Sequence, residues 1–209
     1  MGTMMTLGKV ILVRHGETDW NQERRFQGQS DPELNENGEI QAQEAAALLS
    51  GENIDLVFSS DMIRARATAA VIAGLHHAPV IIDSSLREMN FGDWEGRTFA
   101  DVKNRYPELL NKWLENSFET RIPGGETAEE VNSRVIKAWA NISAAASERD
   151  TVAVVAHGGS LRLLLCHLTG IDSSRHWDFI IGHGEAVVLI KNGGAYSIQL
   201  SMKGETGDA

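Results

Sequence analysis

Two histidines stand at the ends of two apolar runs, and each is followed by glycine. Val10-Ile11-Leu12-Val13-Arg14 leads into His15-Gly16, and Val152-Ala153-Val154-Val155-Ala156 leads into His157-Gly158-Gly159. Short runs rich in β-branched residues read as buried strands of a parallel sheet covered on both faces. Open α/β sheets bind ligands outside the carboxyl ends of their strands, so both histidines would face one crevice. Glycine at the next position lets the chain turn and lets a ligand approach main-chain N–H groups. A neutral imidazole is a nucleophile, and its ordinary pKa of about 6.5 keeps much of it neutral at physiological pH. Arg14, next to His15, adds a permanent cation with a two-pronged geometry for phosphate oxygens.

The longer string Arg14-His15-Gly16-Glu17-Thr18-Asp19-Trp20-Asn21 resembles the signature of the histidine phosphatase superfamily, the phosphoglycerate mutase-like enzymes. Three further motifs follow in that family's order. They are Ser59-Ser60-Asp61 with Arg64 and Arg66, Leu86-Arg87-Glu88, and His157-Gly158-Gly159. The resemblance runs from Lys9 to about Leu200 and implies phosphoryl transfer through a phosphohistidine. It implies His15 as nucleophile, with Arg14, Arg64 and His157 on the phosphoryl oxygens. It implies Glu88 as the acid that protonates the leaving oxygen, and it puts Asn21, Gln27 and Gly28 along the phosphate pocket.

Each role has a physical requirement. One ring nitrogen of His15 must be held by an acceptor so that the other points at phosphorus, and a carbonyl in the 16–18 turn is a suitable partner. Arg64 follows Ser60 by four residues, on the first turn of a helix that starts at the sheet's carboxyl edge. Arg66 cannot share its face. The N–H groups of Gly158 and Gly159, at a helix start, would add an anion site. Glu88 read on its own is a solvated loop carboxylate, and only the resemblance makes it an acid. To donate a proton it needs burial or a nearby phosphate. His76, His77, His176 and His183 lack metal-ligand spacing. No metal and no cofactor is expected, because two arginines and a histidine can do what Mg²⁺ does in other phosphoryl-transfer enzymes.

These residues need a scaffold. Strands are expected at 9–14, 55–59, 79–83, 151–156, 186–191 and 195–200. Helices are expected from 35 to about 50, 61–75 with Ser60 as N-cap, and 160–169. Thr127-Ala128-Glu129-Glu130 is a capping box for a helix with apolar residues at Val131, Val135, Ala138, Trp139 and Ile142. Asn192-Gly193-Gly194 is a hairpin turn. Alternating strands and helices imply an α/β fold, a three-layer α/β/α sandwich on a mostly parallel sheet with an edge hairpin. Residues 1–209 read as one domain, with a helical insertion at about 90–125 over the active site, broken at Pro107. In it, Phe91, Trp94 and Trp113 either stack on an aromatic substrate group or form the insertion's own small core.

The chain has 209 residues and a formal net charge of −10. That excess of carboxylates argues against a general nucleic-acid binder. It allows an anionic small molecule if arginines gather in the pocket. Cys166 is the only cysteine, so no intrachain disulfide can form. No run reaches the roughly 20 apolar residues of a membrane span. The first residues lack a secretory pattern, although Gly2 and Thr6 match a loose myristoylation motif. A cytoplasmic enzyme is the expectation, acting on a small phosphate ester, without nucleic-acid or membrane partners. The segment after Glu88 lacks the paired arginines expected for a second phosphoglycerate. It looks more like the phosphatase branch, and especially the α-ribazole phosphatases of cobalamin biosynthesis. A cofactor-dependent phosphoglycerate mutase and a non-catalytic phospholigand-binding member are the alternatives.

Overall fold

The computed structural model describes residues 8–193 and 195–204. The myristoylation pattern at Gly2 and Thr6 and the last glycine of the 192–194 turn lie outside the described residues. The chain runs β1 (Lys9–Arg14), α1 (Asp19–Gln22), α2 (Glu36–Leu48), β2 (Leu56–Ser59), α3 (Ile63–His76) and β3 (Val80–Ile82). It continues as α4 (Phe99–Arg105), α5 (Pro107–Glu115), α6 (Ala128–Ala145), β4 (Thr151–Ala156), α7 (Gly158–Thr169), β5 (Ala186–Asn192) and β6 (Ala195–Met202).

The six strands form one sheet in the order β3-β2-β4-β1-β5-β6. The first four are mutually parallel, while β5 and β6 are antiparallel and form the expected edge hairpin. Strand alternation divides the core in two. Val10 and Leu12 of β1 pack with Val135, Trp139, Leu161 and Leu164 of α6 and α7 on one face. Ile11 and Val13 pack with Ala45 of α2 and with Ala65, Ala69 and Ile72 of α3 on the other. Helices on both faces explain why β1 and β4 are apolar at nearly every position. β3 is different: its valine and isoleucines are partly exposed because it is the outer strand.

Local chemistry sets the helix starts. Asn35 accepts from Gly38 N–H at 2.8 Å and begins α2. Thr127 and Glu130 form the expected capping box of α6. Pro107 opens α5, where its missing N–H costs nothing. Three details differ from expectation. α1 is a single turn inside what reads as a loop, made by a reciprocal cap between Thr18 and Asn21. α7 begins at Gly158, two residues early. The N-cap of α3 is Met62, and Ser60 is occupied otherwise, as described below. Trp94 is fully buried, tilted against Phe26 and edge-on to Trp113, and is part of the same core as β1, α6 and α7, so it is a packing residue.

Candidate active site

Parallel pairing brings the two histidines together. Arg14 of β1 is in register with Ala156 of β4, so the next residues, His15 and His157, leave the sheet side by side. His15 N–H extends the ladder to the Ala156 carbonyl at 3.0 Å. The two imidazole centroids are 5.0 Å apart. Both rings are buried, 2 % and 0 % exposed.

His15 Nδ1 lies 2.6 Å from the Gly16 carbonyl. A carbonyl can only accept, so Nδ1 carries the proton and Nε2 keeps a free lone pair. Nε2 has no hydrogen-bond partner among the described residues, and His15 lines an open cleft. Burial, with His157 and the two arginines around it, holds the His15 pKa well below its ordinary value. The ring is therefore neutral and nucleophilic. His157 is lowered in the same way, first by burial and then by Arg64 and Arg14. Its Nε2 is 2.9 Å from Ser60 Oγ, which also accepts Met62 N–H at 3.3 Å. Ser60 thus orients His157 instead of capping α3. His157 Nδ1 is buried without a partner and is the atom left to meet a ligand.

The arginines are held by backbone carbonyls. Arg14 Nη1 donates to Ile181 O at 2.9 Å. Arg64, fully buried on the first turn of α3, donates to Ser30 O at 2.9 Å and Gly28 O at 2.8 Å. The Nε of each is buried and unpartnered. Burial lowers both to about 10, so both remain cations at neutral pH. Pre-oriented guanidinium groups with an unused donor form a clamp for an oxyanion. Asn21, Gln27 and Gly28 line the same cleft. Gln27 accepts from Thr18 Oγ1, and Gly28 has φ of +55°, which lets the chain turn where a side chain would strike the Glu95 carboxylate.

Glu88 faces the cleft from the loop after β3. Its Oε2 accepts Gly159 N–H at 3.0 Å and its Oε1 accepts Met89 N–H at 2.9 Å. Gly159 therefore does not offer its N–H to an anion, as the sequence suggested, but holds Glu88. A Cβ at Gly159 would collide with that carboxylate. Gly158 packs instead against the Arg14 guanidinium.

Four further residues matter here. Arg134 of α6 donates to Ser85 O at 2.9 Å and Glu88 O at 2.8 Å, and forms a two-pronged pair with Glu126 at 2.9 and 3.0 Å. Glu126 in turn accepts Asn90 N–H at 2.8 Å. Together they fasten the Glu88 loop to α6. Arg134 lies on the apolar stripe of α6, three residues from Val131 and four from Ala138, and that interruption was the available signal. Arg162 is likewise the one charge between the leucines of α7. His183, set aside for lacking metal spacing, lines the cleft with its ring 5.7 Å from His15, and burial lowers it to about 3.

Comparison with known proteins agrees with this geometry. A family model described as histidine phosphatase superfamily (branch 1) matches residues 10–202. Phosphoserine phosphatase 1 of Hydrogenobacter thermophilus is 37% identical, with 82% of this chain and 81% of that protein covered. The crystal structure of the α-ribazole phosphatase from Shigella flexneri superposes with a TM-score of 0.84 at 29% identity, covering 92% of this chain and 95% of that one. A 2,3-bisphosphoglycerate-dependent phosphoglycerate mutase of Methylobacterium radiotolerans is 32% identical, over 88% of this chain and 89% of that protein. The chain belongs to the histidine phosphatase superfamily, branch 1, and is a phosphomonoester hydrolase of that family.

Proposed function

We propose that the enzyme is a metal-independent phosphomonoesterase that works through phosphohistidine at His15 on a small phosphorylated metabolite. The observation that carries this is the His15 Nδ1–Gly16 O bond of 2.6 Å, which directs a neutral Nε2 into a cleft flanked by arginines. Nε2 attacks phosphorus in line, and the P–O bond to the alcohol breaks. Arg14 and Arg64 stabilise the equatorial oxygens, and His157 donates from Nδ1. Glu88, protonated when the phosphate is bound, gives its proton to the leaving oxygen. It then takes a proton from the water that attacks phosphohistidine, which returns free phosphate and neutral His15.

Two substrates are favoured by similarity. α-Ribazole 5′-phosphate is favoured by the Shigella flexneri structure, and O-phosphoserine by the Hydrogenobacter thermophilus relative. The mutase reading has the Methylobacterium radiotolerans relative in its favour. Against it, the stretch from Asn90 to Arg121 carries no adjacent arginine pair for a second phosphate. One enzyme stock decides between them. With 3-phosphoglycerate and catalytic 2,3-bisphosphoglycerate, isomerisation is expected to be negligible beside phosphate release from a good monoester, with or without chelator. Isomerisation faster by about an order of magnitude, or loss of hydrolysis on chelation restored by Mg²⁺, contradicts the proposal.

A further inference from the structure

A second, much narrower cavity opens on the far side of Glu88. It shares Glu88 and Phe91 with the main cleft, so the two adjoin at the Glu88 carboxylate. Its walls are mostly apolar, with Trp113 and Leu163 among them. Arg162 stands in this wall with its guanidinium carbon 4.2 Å from the centre of the Trp177 ring. It makes no hydrogen bond and no ion pair among the described residues, and its Nε is buried without a partner. A guanidinium in an apolar slot with unused donors is costly unless a ligand completes it.

α7 sets the spacing. Gly159 holds Glu88, and Arg162 is three residues on, on the same helix face and about 4.5 Å further along the axis. A group that meets Arg162 is thus a few bonds from the oxygen that meets Glu88. Guanidinium geometry matches a planar carboxylate.

We propose that this slot receives the alcohol part of the substrate and that Arg162 binds a carboxylate there. The substrate class is then the phosphate esters of small hydroxy acids. This rests on the phosphomonoesterase reading above and narrows it: an uncharged aromatic base does not use Arg162.

The test compares matched esters that differ by the carboxylate: O-phosphoserine with O-phosphoethanolamine, and 3-phosphoglycerate with glycerol phosphate. Nitrophenyl phosphate serves as the control without a carboxylate. The wild type should favour at least one acid, and R162M should cut kcat/KM for that acid roughly 10–100-fold, mainly through KM, as for a lost charged hydrogen bond. Its rates on the three esters without a carboxylate should stay within about threefold. R162K should recover only part of the preference, because an ammonium lacks the fork. Equal losses on every ester would make Arg162 only a counter-charge to Glu88 and overturn the proposal. So would a wild type that ignores the carboxylate while hydrolysing nitrophenyl phosphate, and that result leaves the phosphomonoesterase reading standing. No phosphate release from any ester overturns both.

Discussion

The two sides of Glu88 are built on different principles. On the His15 side the walls are rich in cationic and polar groups from the end of β1, the 21–28 segment and the first turn of α3, with Phe26, Phe91 and Phe99 beside them. The nucleophile and both arginines there are tied to backbone: His15 to Gly16 O, Arg14 to Ile181 O, Arg64 to Ser30 O and Gly28 O. On the Arg162 side the walls are aromatic and aliphatic and come from the insertion, α6, α7 and the segment around Trp177. Backbone-tied groups suit chemistry, which needs fixed donors at fixed distances. A wall of packed side chains can change shape by substitution, which suits the choice of alcohol. Glu88 belongs to both sides, and its position is set by Arg134 and Gly159 from the second.

The sharpest way to separate the two sides is the leaving group. Glu88→Gln should slow hydrolysis of an alkyl phosphate by about 10²–10⁴-fold, the usual range for general acid assistance. Nitrophenyl phosphate should lose far less, since nitrophenolate leaves without a proton. Steady-state rates on the two esters check this, and equal losses would assign Glu88 to binding alone.

A smaller effect is expected one shell out. Arg134→Met removes the clamp on the Ser85 and Glu88 carbonyls and takes away the ion-pair partner of Glu126. It should slow the alkyl ester about tenfold or more by loosening Glu88, within the range seen for supporting residues. The loss on nitrophenyl phosphate should be smaller. Arg134→Lys should restore little of it, because one ammonium cannot serve the three carbonyls of Ser85, Arg87 and Glu88 and a two-pronged carboxylate. If both esters fall together while thermal stability drops, Arg134 is structural and the coupling across Glu88 is not real.

The smallest signal is electrostatic. Burial and neighbouring cations lower His15, so the folded ring stays neutral as pH falls through the ordinary histidine range near 6.5. NMR of the ring nitrogens should show no His15 protonation as pH falls through that range. The unfolded chain does take up that proton, so stability should decline as pH drops below about 6.5. Titration of His15 near 6.5 would mean that the ring is solvated, unlike the buried site described above.

Much of the His15 side could be read from the sequence because it depends on local pattern. An apolar run that stops at Arg-His-Gly is both strand and site, and the parallel pairing follows from two such runs. The helix caps at Asn35 and Thr127 are equally local. What escaped depends on long-range contact. Gly159 N–H could not be assigned to Glu88, since the bond spans 71 positions of chain. Ser60 read as a cap because no sequence pattern announces His157 as its partner. Trp94 read as a possible ligand contact, and only its complete burial in the main core decides against that. Arg134 and Arg162 gave only a weak signal, a charge on an apolar helix stripe, and His183 gave none.

The central claim is that His15 Nε2 takes the phosphoryl group. Rapid quench of the enzyme with labelled substrate, followed by peptide mapping, tests it directly. An acid-labile, base-stable label on His15 that forms at least as fast as turnover is the predicted result, absent from His15→Ala along with the activity. Turnover at the wild-type rate in His15→Ala, or a label on any other residue, contradicts the account.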